Sequence, residues 1–113
     1  MALSIDYRKT IADRIKTDPA FASALLDEAM SLLLNGESVA ARLLLRDLTH
    51  GLIGFEGLAK ATGTPAKSLH RMLSNRGNPN MDTLGRVFAA LVQAAFHAPA
   101  TVHVRAMADA LAA

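Results

Sequence analysis

The chain has 113 residues, no cysteine, 51% hydrophobic residues and a formal net charge of only +2. That length can bury one real core without staples, so a single domain is expected. The missing cysteines exclude disulfides and thiolate chemistry and point to a reducing compartment, here the cytoplasm. No apolar run approaches the roughly 18 residues of a membrane span, so no membrane partner is expected. The start, MALSIDYRKT, carries an early Asp6 and does not read as a signal peptide.

In chain order, Tyr7, Ile11 and Ile15 recur every fourth residue and predict a short helix with one apolar edge. Asp18-Pro19 marks a boundary: Asp18 suits a cap, and Pro19 suits a first helical position, where its missing N–H costs nothing. The second helix runs to about Leu34, with Ala22, Leu25, Leu26, Ala29, Leu32 and Leu33 on one face and Asn35-Gly36 as its stop. A third helix, from about Glu37 to His50, is expected to bury Val39, Leu43, Leu44 and Leu48. After residues 54–80, Asn80 is the expected cap of a last strong helix. Leu84, Val87, Phe88, Leu91, Val92 and Ala95 form its apolar stripe, and Pro99 its end. That helix is the candidate dimer contact, since the apolar surplus suggests a covered surface. Residues 101–105, TVHVR, alternate in the manner of a short C-terminal strand, and residues 107–113 read as a helical end. Met30, Met72, Met81 and Met107 read as core or interface filler.

Residues 54–80 carry the most information. A first helix at about 55–61 would turn Leu58 and Ala59 inward. Gly63 would make a sharp turn, and a second helix at about 65–74 would bury Leu69, Met72 and Leu73. Thr64 would cap it. No acid lies between Gly57 and Met81, whereas Lys60, Lys67, Arg71 and Arg76 do. Residues 1–54 hold six Lys/Arg and seven Asp/Glu, a net of −1, while residues 55–86 hold five and two, a net of +3. The positive charge is therefore local, as a phosphate-binding face requires. A short cationic helix so presented suits the major groove of double-stranded DNA.

On this reading Thr64, Ala66, Lys67, Ser68, His70 and Arg71 form the DNA-contacting side of the second helix. Lys67 and Arg71 lie one turn apart and reach guanine edges; Arg71 does so bidentately, at about 1–3 kcal/mol of discrimination. Ser68 and His70 add hydrogen bonds to bases or phosphate. Asn75, Arg76 and Asn78, in the turn that follows, position the protein on the phosphate backbone. An ordinary solvated face would carry the same cations, but the turn glycine, the capped helix start and the absence of acids favour the DNA reading. His50, His70, His97 and His103 are scattered and make no metal set. Glu56 suits the helix dipole better than acid catalysis. No nucleophile–base pair appears, so no enzyme, metal or cofactor is expected.

YRKTIADRI, DPAFASALLDEAMSLLLNGE, LLLRDL, IGFEGLA and KSLHRMLSNRGNP together resemble the addiction-module antidote family, HigA-like antitoxins with an Xre/Cro-type DNA-binding domain. The resemblance spans roughly residues 6–92, and KSLHRMLS with the following RGNP is its most specific part. It implies an all-α domain of five to six helices containing a lambda-repressor-like helix-turn-helix. Within that single domain, 1–113, a helical extension at 1–53 would pack on the helix-turn-helix region at 54–97, with a tail at 98–113. It also implies a homodimer that represses its own operon from a palindromic operator and neutralises a small basic RelE/HigB-like toxin. Half-sites for such dimers repeat about 34 Å apart. Two alternatives stay open: a stand-alone Xre-type regulator without a toxin, and a partner-sequestering helical module that does not bind DNA.

Overall fold

The computed structural model describes residues 5–107, and they form six α-helices and no strand. These are α1 (Ile5–Thr17), α2 (Pro19–Leu34), α3 (Ser38–Leu52), α4 (Gly54–Thr62), α5 (Ala66–Met72) and α6 (Met81–Phe96). The all-α class follows from helical periodicity and well-placed caps. Asp18 accepts from the Phe21 N–H at 3.2 Å, and Pro19 is the first helical residue of α2. At the far end the Glu37 N–H donates to the Leu32 carbonyl and the Gly36 N–H to the Leu33 carbonyl, closing α2 with a Schellman pattern. Asn80 caps α6, its side-chain oxygen accepting from the Thr83 N–H at 2.8 Å.

The core is one cluster. Ile15 of α1, Ala22, Leu26 and Ala29 of α2, and Leu45 and Leu48 of α3 meet Phe55 and Leu58 of α4, Leu69 and Leu73 near α5, and Val87 and Leu91 of α6. α3 is the central element, touching α1, α2, α4 and α6. Its buried Thr49 returns its hydroxyl to the Leu45 carbonyl at 2.8 Å, which removes the cost of an unpaired polar group. Residues 5–53 and 54–97 thus share one hydrophobic interior.

Several expectations are corrected. α3 is rotated from the predicted phase: Ala41, Leu45, Leu48 and Thr49 are buried, while Val39 and Leu43 are exposed. Leu45 is fully buried, while Leu44 is half-buried against the core beside it. Tyr7 is exposed, so only Ile11 and Ile15 of the first apolar edge face inward. Residues 101–105 form no strand; they run irregularly beside a groove lined by Ala24, Met30, Phe88, Val92 and Phe96, with no ladder partner. Met107 is irregular too, and the rest of the predicted helical end lies outside the described residues. Met30 and Met72 are half-buried, but Met81 and Met107 are exposed. α6 ends at His97 in the left-handed conformation (φ 55°), two residues before Pro99.

Candidate nucleic-acid interface

α4 and α5 are joined by a tight turn at Gly63. Its φ of +67° is left-handed, and its N–H closes α4 by donating to the Ala59 carbonyl at 2.9 Å. Only glycine adopts that geometry freely. Thr64 does not cap α5. Pro65 takes the cap position with φ −58° and ψ 141°, and its carbonyl accepts the first helical bond, from the Leu69 N–H. The proline ring also holds Thr64 out of helical geometry. The helix is therefore short, Ala66–Met72, and Leu69 and Leu73 pin it to the core with no exposed surface.

This anchoring decides what α5 presents. Lys67 and Arg71 are exposed and one turn apart, and neither side chain has a hydrogen-bond or ion-pair partner among the described residues. Ser68 is half-buried. Ala66 is also half-buried and packs against the core, so it is less outward than expected. His70 is exposed, but one face of its ring stacks on Phe55, with centroids 3.7 Å apart and planes 15° apart. His50, from the last turns of α3, meets the same Phe55 edge-on at 5.1 Å. His70 is thus braced on one face rather than free, and the rest of its ring is exposed.

The turn after α5 is built, not loose. The Arg42 guanidinium, reaching from α3, donates through Nε to the Ser74 carbonyl at 3.0 Å and through Nη2 to the Asn75 carbonyl at 3.2 Å. The Ser74 hydroxyl donates to the Arg71 carbonyl at 2.8 Å and accepts from the Arg76 N–H at 3.3 Å. The Gly77 N–H donates to the Ser74 carbonyl at 3.1 Å. A side chain at position 77 would run into the Met72 carbonyl. These bonds leave Asn75, Arg76 and Asn78 exposed. Every residue of the predicted set therefore lies on α5 or in the turns that bound it, and Lys67, Arg71, Asn75, Arg76 and Asn78 face solvent.

Sequence reasoning missed Arg42. Its signal was modest: Arg42, Arg46 and His50 recur every four residues along α3, one step from the buried line Ala41, Leu45, Leu48. Burial and the nearby Arg46 and His70 push the His50 imidazole below its usual range. Burial pushes the neighbouring Asp47 carboxyl up, against the pull of Arg8, which pairs with it at 3.7 Å. Among the described residues, no group of three His, Cys, Asp or Glu could hold a metal ion, and no helix is long and apolar enough to cross a membrane. No family model, curated protein or solved structure matches the chain.

Proposed function

We propose that the protein is a sequence-specific DNA-binding repressor whose α4–turn–α5 unit is a helix-turn-helix, with α5 laid in the major groove. The observation that carries this reading is the pair of unpartnered cations on α5, Lys67 and Arg71, beside a braced turn bearing Arg76, in a stretch without a single acid. A solvated structural helix has no need for a turn clamped from another helix. A recognition helix does, because phosphate contacts from that turn set the register in which side chains meet base edges.

The resemblance to HigA-like antidotes carries the second half of the proposal: the repressor is also the antitoxin of a small basic RelE/HigB-like ribonuclease and acts as a homodimer on its own operator. The apolar stripe of α6 is spent on the core. Its outer side, where Ala89, Gln93 and His97 line a shallow concavity with Ala61 of α4, is the face left for a second copy. Co-expression tests the antitoxin role. The reading requires a small basic protein encoded beside this chain, one that arrests growth alone and is tolerated with it. Arrest that persists removes that half and leaves a stand-alone regulator. A shifted band with duplex from its own upstream region tests the repressor half.

A further inference from the structure

The basic line on α3 does not end at Arg42. Arg46 lies one turn further on and His50 one turn beyond that. Arg42 is committed to the Ser74 and Asn75 carbonyls. Among the described residues Arg46 has no hydrogen bond or ion pair, and its buried Nε has no acceptor. The residue as a whole is only half-buried, so the open end of its guanidinium can meet an anion from outside the chain. Asp47, next to it in the chain, pairs with Arg8 of α1 at 3.7 Å. His50 is exposed and lies 6.4 Å from His70 of α5, ring centroid to ring centroid, with Phe55 of α4 in contact with both rings. α3 therefore delivers a free cation and a titratable ring to the flank of α5.

We infer that Arg46 and His50 form a phosphodiester-binding pair on α3, a second backbone contact that seats the duplex alongside α5. This rests on the DNA-binding reading and adds to it two residues from a different helix. Arginine suits the role because its planar fork matches phosphate oxygens. Histidine suits it because a docking phosphate favours the imidazolium. The free imidazole is held below its usual range by burial, Arg46 and His70, with Arg8 acting the same way and Asp47 opposing. A phosphate counters the first of these charges directly. Binding then takes up a proton at His50, and affinity rises as pH falls.

The test uses the full chain and a mixed-sequence duplex two helical turns long, followed by fluorescence anisotropy across salt and at about pH 6 and about pH 8. Arg46→Gln should reduce the slope of log affinity against log salt by about 0.9, one phosphate contact. His50→Asn should remove most of a several-fold preference for the lower pH. Either variant matching the wild type in its own readout overturns the pair, while wild-type binding leaves the DNA reading standing. If the wild-type protein binds no duplex at either pH, both fall. Should Arg46→Gln not fold, the wild-type protein decides by NMR: the His50 imidazole must titrate at higher pH with duplex bound, and an unmoved titration overturns the inference.

Discussion

Arg42 and Ser74 lie 32 positions apart in the chain, yet the guanidinium Nε of one sits 3.0 Å from the carbonyl oxygen of the other. This bond ties the central helix α3 to the turn that follows α5. With the second bond to Asn75 it fixes where Arg76 and Asn78 start from. A charged donor to a backbone carbonyl contributes roughly 1.5–3 kcal/mol where water is limited and less where it is not.

Arg42→Ala should therefore cost roughly 1–3 kcal/mol in chemical denaturation and speed hydrogen exchange at the Gly77 N–H, which is bonded inside the same turn. Arg42→Lys should restore little, because one ammonium cannot reproduce two fork-spaced bonds. A variant as stable as the parent, with unchanged exchange at Gly77, would show that the turn holds itself.

Two glycines should fail for different reasons. Gly63 has open space around its α-carbon but a left-handed φ of +67°, so Gly63→Ala should cost about 1 kcal/mol and Gly63→Asn less. A side chain at Gly77 meets the backbone carbonyls of Met72 and Arg71, so Gly77→Ala should cost more, roughly 2 kcal/mol or above, and no residue should rescue it. In thermal melts Gly63→Asn should lose least, Gly63→Ala more and Gly77→Ala most. Equal losses at both positions would contradict the geometry.

Much of this fold was legible because helix ends are written locally. Asp18, Asn35-Gly36, Gly63 and Asn80 each act on backbone groups within a few residues, and each ends or starts a helix where the sequence placed it. The phase of α3 was not legible. Leu43, Leu44 and Leu45 are consecutive, so periodicity alone cannot say which faces in. The answer depends on where α1 and α2 lie. The partners of Arg42 were hidden for the same reason, since nothing near position 42 announces a carbonyl 32 residues away. In the tail, alternation at 101–105 suggested a strand, but alternation makes a strand only where a partner strand exists.

Stability should fall on acidification. The folded state lowers the titration of His50 from 6.5. A group whose folded pKa lies below its unfolded value is neutral by preference in the native protein. Its protonation therefore begins to cost stability as pH drops below about 6.5, and the cost is complete below the folded value. The raised Asp47 acts the other way, relieving the fold as it protonates at lower pH. Melting temperature should decline between about pH 7 and pH 5, and His50→Asn should decline less. Identical pH profiles would exclude His50 as the cause.

On the proposed DNA-binding reading, salt should separate Arg76, assigned to phosphate, from Arg71, assigned to base edges. Arg76→Ala should weaken binding evenly across sequences and flatten the salt slope by about one phosphate. Arg71→Ala should also change which base is preferred. A flat affinity from low to moderate salt would point instead to an apolar protein partner.

The most direct measurement is a titration of duplex from the chain's own upstream region with wild-type protein and with Lys67→Ala/Arg71→Ala, alongside thermal melts of both. Both side chains are exposed and make no internal bond, so the melts should nearly coincide, while affinity should fall at least about a hundredfold. Unchanged affinity with unchanged stability would mean that α5 does not meet DNA.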